Sequence, residues 1–161
     1  MYSEAFLGIA DPVSAATHLL GALIALFAGI ALMLRRYRHW GHRLAAMVFP
    51  LGCVFLLSMS GVYHVLPEDT EAREVLQVLD HAAIFALIAA TFTPVAVHAL
   101  GGAWRTTSLV VAWTIALIGA GVAMSPTTPP ARFSVAAYVG FGSLAAIPLV
   151  RIGAALEPAG T

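Results

Sequence analysis

Charge is scarce in this chain. Only 10% of its 161 residues are Asp, Glu, Lys or Arg, against about 25% in an ordinary soluble domain. Lysine is missing altogether, so all eight basic residues are arginine, a bias that codon usage explains. There is one cysteine, Cys53, inside an apolar run, which excludes a disulfide framework and a cysteine zinc cluster. Net charge is zero, so nothing argues for a nucleic-acid partner. What is abundant is apolar surface: 60% of residues are hydrophobic and the mean hydropathy is +0.90. Such a chain must turn apolar side chains to lipid as well as to one another. It reads as an integral membrane protein whose first partners are membrane lipids.

About 20 mainly apolar residues cross a bilayer as a helix. Five such runs occur: 12–34, 44–66, 76–100, 104–124 and 133–150. Only helices and closed barrels satisfy the backbone in lipid, and these runs are too continuously apolar for alternating barrel strands. The expected fold is all-α, a polytopic helical bundle with five transmembrane helices in a single transmembrane domain over 1–161. No cleavable signal peptide is expected, because no basic segment precedes the first run and a basic one ends it. Pro50, Pro94 and Pro148 fall inside helices and should kink them. The many Gly and Ala residues suit close helix packing.

Arginine counting sets the orientation. Arg35, Arg36, Arg38 and Arg43 crowd the first loop, with Arg105 and Arg151 on the same side. The opposite side has Arg73 and Arg132, and Glu68, Asp69, Glu71 and Glu74 share the hairpin of Arg73. The first loop is therefore expected in the cytoplasm and the N-terminus outside. Trp40 and Trp104 fall together, as an interfacial belt would have them.

The residues most at odds with this background are Ser60 and His64 in the second run and Asp80 and His81 at the opening of the third. An Asp at a membrane helix centre costs roughly 2.5–3.5 kcal/mol on insertion scales, so it needs a purpose. Ser60 and His64, four apart, share a helix face. Alternating spans bring His18, Ser60, His64, Asp80 and His81 toward one membrane face. Imidazole and carboxylate suit zinc, and a three-ligand site keeps a place for water. Asp80 could then accept that water's proton or orient a ligand imidazole. Plainer readings stand beside each role. His18 could be an interfacial histidine, His64 could snorkel from a helix end, and Asp80 could cap a third helix that starts late. His81 points about 100° away from Asp80. His39 and His42, in the basic loop, read as headgroup contacts. His98 has no assigned role, and Thr91-Phe92-Thr93-Pro94 reads as a hydroxyl-eased kink.

Asp11-Pro12 with Thr17-His18-Leu19-Leu20-Gly21, Ser60-Gly61-Val62-Tyr63-His64, and Leu79-Asp80-His81 with Thr91-Phe92-Thr93-Pro94 resemble the hemolysin III family. That family is the bacterial branch of the progestin and adipoQ receptor proteins, distantly similar to alkaline ceramidases. The resemblance runs from about Asp11 to Val150. It implies a multi-pass protein of the bacterial inner membrane with seven helices and a Zn²⁺ ion near one face. His64 would match the metal ligand, with Ser60 and Asp80 as its polar companions. The implied activity is hydrolysis of a lipid amide or ester. In that scheme Asp80 orients or deprotonates the water and Ser60 hydrogen-bonds water or substrate.

Two departures stand out. Ser14 replaces an Asn of the opening motif. The family's His-x-x-x-His pair, which supplies two ligands, occurs nowhere in the chain. The sequence thus reads as lacking the last two helices. Either it is truncated, or His18, His81 or another subunit completes the site. The family name implies cytolysis instead, although no run carries a continuous polar stripe to line a pore. A receptor or membrane-homeostasis role without turnover is the third alternative. AdipoQ-type receptors place the metal face in the cytoplasm, opposite to the arginine count.

Overall fold

The apolar runs set where lipid begins and ends, but backbone hydrogen bonding sets where helices do. The structure, a computed structural model, describes residues 8–125 and 131–144. The described residues form five α-helices and no β-strand: α1 Pro12–Met33, α2 Trp40–Val65, α3 Glu71–Ala99, α4 Gly102–Ala123 and α5 Ala131–Leu144. The first four are long and apolar enough to cross a membrane. The expected fifth span reached to 150, and its last six residues lie outside the described ones, as does Pro148.

Two helices begin a turn or more before their apolar runs. The second starts at Trp40 rather than at 44, and the third at Glu71 rather than at 76. In α3 the added turn is a polar one. Thr70 caps it, accepting from the Arg73 N–H at 3.4 Å, and Glu71 and Glu74 place negative charge on the first turn, where the helix dipole favours it. Hydropathy cannot register such a turn because it stands outside the lipid. Asp80 therefore does not cap α3. It lies nine residues past Glu71, about 13 Å along the axis.

Short connections make consecutive helices neighbours, and α1 packs on α2, α2 on α3, and α3 on α4. α3 also meets α5, which makes it the centre of the bundle. The core is built from small residues and a few rings. Ala82, Ala89, Ala96, Ala112 and Ala116 surround Phe85, Phe92 and Phe141. Small side chains let backbones approach, and close packing is what holds helices together where lipid is as apolar as leucine. A Cβ on Gly119 of α4 would collide with the Phe85 ring of α3. A Cβ on Gly61 would stand 2.7 Å from the side chain of Leu19. Bulk faces outward instead: Leu20, Ile24 and Phe27 form an exposed stripe on α1, and Leu117 of α4 is 71% exposed. In water such a surface would aggregate; in a bilayer it is the lipid contact.

Pro50 and Pro94 sit within α2 and α3 without ending them. Beside Pro94, the hydroxyls of Thr91 and Thr93 donate to the carbonyls of Leu87 and Ala89 at 2.8 Å each. Thr93 also accepts from the Trp113 indole at 3.1 Å. The Thr-Phe-Thr-Pro segment thus ties α3 to α4.

Candidate functional site

The carbonyls at a helix C-terminus have no partner within the helix. At the end of α2 the segment before α1 supplies two. The Asp11 N–H donates to His64 O at 3.0 Å and the Ala10 N–H to Val65 O at 3.4 Å. This pairing fixes Asp11 beside His64. Asp11 occupies the N-cap position of α1 but makes no side-chain capping bond, because its carboxylate is engaged elsewhere. Its Oδ2 accepts from His64 Nδ1 at 3.1 Å and from an Arg73 guanidinium nitrogen at 3.0 Å.

Arg73 is held on three sides. It donates to Leu66 O at 2.6 Å, pairs with Asp11, and lies over the Tyr63 ring at 4.6 Å from the centroid. Hydrogen bonds from His64 and then from Arg73 keep the Asp11 carboxyl below its ordinary range, so it is a carboxylate at neutral pH.

His18 joins the cluster from α1, its ring stacked on that of His64 with centroids 5.3 Å apart. Its Nδ1 meets Ser14 O at 2.6 Å. Carbonyl and carboxylate oxygens only accept, so Nδ1 carries the hydrogen in both imidazoles. Their Nε2 atoms are then left with a lone pair when neutral. Ser60, one turn before His64, is buried, and its hydroxyl makes no hydrogen bond among the described residues.

The structure thus stacks His18 on His64, with Ser60 one turn before His64 on α2. It does not link Asp80 or the His81 ring to them by a hydrogen bond, ion pair or ring contact among the described residues. Asp80 is half-buried and His81 exposed, and the carbonyl of His81 accepts from Tyr138 of α5 at 3.1 Å. No three of the His, Cys, Asp and Glu side chains among the described residues come together as a metal-holding group. Asp11 and Arg73 are the cluster members that sequence reasoning missed. The signal was present: Asp11-Pro12 heads the opening motif, and Arg73 is the one basic residue in an acidic hairpin. Arg73 counts there for orientation, yet it pairs with a carboxylate 62 residues away.

Residues 8–161 match the family model described as Haemolysin-III related. The chain is 30% identical over 108 residues to the "Hemolysin-3 homolog" of Bacillus subtilis (strain 168), covering 66% of this chain and 50% of that one. To the "Hemolysin-3" of Bacillus cereus it is 34% identical over 109 residues, covering 66% and 49% respectively. The chain spans about half the length of the curated relatives it matches. With four membrane-grade helices and a family match over nearly all its residues, this multi-pass membrane protein belongs to the haemolysin-III related family.

Proposed function

We propose that the end of the bundle carrying Ser60 and His64 contributes to a zinc-dependent hydrolase centre for a lipid amide or ester in a bacterial inner membrane. The observation that carries this reading is the Asp11–His64 hydrogen bond. A metal-binding histidine characteristically donates its second ring N–H to a carboxylate, which fixes the tautomer and the ring orientation. His64 has that arrangement, and Arg73 in turn holds the carboxylate.

In donor chemistry the cluster fits zinc: the imidazole Nε2 of His64, with His18 stacked beside it. In donor number the described residues are insufficient. Further ligands must come from outside them or from a second subunit. Zinc, when bound, would lower the pKa of a water toward ~7. The chain's own residues do the positioning. Asp80 has no hydrogen-bond partner among the described residues, which leaves its carboxylate to hold a water or accept its proton. Ser60 offers its hydroxyl to the water or to a substrate carbonyl.

Zinc content of detergent-purified protein, with His64→Ala and Asp80→Ala alongside, tests the reading. The expected result is zinc that falls with His64→Ala, and turnover of a fluorescent ceramide-type amide lost in Asp80→Ala without loss of helix content. Undiminished zinc in His64→Ala, or full turnover in Asp80→Ala, would overturn it. Dye release from liposomes that survives His64→Ala would favour the cytolytic alternative suggested by the relatives' names.

A further inference from the structure

At the opposite end of the bundle the charges have no carboxylate partners among the described residues. Arg35, Arg36 and Arg38 lie in the 34–39 loop, Arg43 in the first turn of α2 and Arg105 in that of α4. None of these side chains makes a hydrogen bond or ion pair among the described residues. Among the described residues the carboxylates stand elsewhere: Asp11, Glu68, Asp69, Glu71, Glu74 and Asp80 all belong to the start of α1, the α2–α3 connection or the first part of α3. Imidazoles extend the basic surface. His42 stacks on His98 of α3 with centroids 4.7 Å apart, and His39 meets His42 edge-on at 5.5 Å. His98, which has no role on sequence grounds, is part of this face.

Between the loop and α2 lies an open pocket of about 500 Å³. Arg35, Arg36, Arg43 and His39 give it a basic wall, and Leu34 and Trp40 an apolar one. Arg43 lies over the Trp40 ring at 5.3 Å. Leu34 and Trp40 are 75% and 66% exposed, so none of the described residues covers that wall. Met33 lines this pocket and also an apolar groove between α1 and α2, formed with Ile30, Gly29, Pro50 and Val54. A basic pocket that meets an apolar groove at Met33 matches a lipid, polar at one end and hydrocarbon at the other.

We propose that this pocket binds the headgroup of an anionic phospholipid. Arg35, Arg36 and Arg43 hold the phosphate, and an acyl chain follows the groove from Met33 toward Val54. Arginine forks suit phosphate oxygens, and basic clusters at a membrane surface recognise anionic lipids. The adjacent apolar groove favours a lipid over free phosphate, which would have no use for it.

Thermal unfolding of the detergent-solubilised full chain, titrated with phosphatidylglycerol, phosphatidylcholine or inorganic phosphate, tests the assignment. Phosphatidylglycerol should give a saturable rise in Tm that phosphatidylcholine and phosphate do not. The combined Arg35→Gln, Arg36→Gln and Arg43→Gln variant should weaken the apparent affinity about tenfold or more. Arg105→Gln, on the same face but outside the pocket, should leave it nearly unchanged. Should the triple glutamine variant fail to fold, Met33→Glu serves instead, placing a repelling charge where pocket and groove meet. It should weaken phosphatidylglycerol binding. Equal stabilisation by phosphatidylcholine or by phosphate would overturn the proposal. So would undiminished phosphatidylglycerol affinity in the glutamine or Met33→Glu variants, or a loss in Arg105→Gln matching that of the triple variant.

Discussion

The two ends of the bundle handle charge in opposite ways. At one end Asp11, His64, Arg73 and Tyr63 satisfy one another. At the other, five arginines extend without a carboxylate among the described residues. An internal pair confers position, because a buried charge with a fixed partner cannot move without cost. An unpaired cation at the headgroup level confers affinity for whatever anion the membrane supplies. The first arrangement suits a site that must hold an imidazole in one orientation, and the second suits a surface that must meet lipid.

The comparison breaks most readily at Asp11. Asp11→Ala leaves the Arg73 guanidinium, 11% exposed, without its ion-pair partner, and His64 without its acceptor. Loss of a partner costs about 3–5 kcal/mol for a fully buried pair and about 0–1 for an exposed one. With Asp11 35% exposed, and Arg73 still bonded to Leu66 O, the expected loss is about 2 kcal/mol. It is read from unfolding in mixed micelles, and a cycle with Arg73→Met separates the pair's own coupling. A loss below a few tenths of a kcal/mol would remove the distinction between the ends.

Acid sharpens the same contrast with a smaller effect, because a protonated Asp11 can still hydrogen-bond. The folded carboxyl lies below its ordinary value, while in the unfolded chain it titrates near ~3.9. Its contribution is therefore complete above ~3.9 and is lost as pH falls through the lowered folded value. As pH falls below about 4, Tm should fall more steeply in the wild type than in Asp11→Asn. Parallel slopes would show that the hydrogen bonds from His64 and Arg73 do not favour the charged carboxylate.

Much of this fold is legible in composition. Length and continuity of the apolar runs locate α1 to α4 to within a few residues, because lipid imposes one solution on the backbone. The early starts of α2 and α3 are not legible in that way, since a polar turn outside the membrane has no hydropathy signal. At the site, Ser60 and His64 are readable from helical spacing, and His18 from alternating topology. Asp11 and Arg73 are not, because nothing in the intervening residues says that a carboxylate before α1 meets a guanidinium opening α3. That contact depends on the backbone pairing of Asp11 with the end of α2, a tertiary event. His98 escaped for the same reason: its partner is His42, on a different helix.

Thr70→Ala probes the acidic end without touching the cluster's charges. An N-cap hydroxyl contributes typically ~1 kcal/mol, and the 3.4 Å separation from the Arg73 N–H puts this one at the low end. A loss of about 0.5 kcal/mol is expected. If the loss approached that of Asp11→Ala, the first turn of α3, rather than the ion pair, would be what orders this end.

Arg43→Gln should be the mildest change, and its mildness is informative. The residue is charged, like Arg73, and it too lies over an aromatic ring, so residue type alone predicts similar costs. Environment predicts otherwise. Trp40 is largely exposed, and an exposed cation–π contact is worth about 0.5–1 kcal/mol at most. Against this, relief of repulsion from Arg35 and Arg36 acts in the opposite sense. In detergent free of anionic lipid the net change should lie within about 0.5 kcal/mol of zero. With phosphatidylglycerol present, wild type should gain stability that Arg43→Gln gains less of. A large loss in neutral detergent would mean that Arg43 is structural, and that the basic end is held together internally like the acidic one.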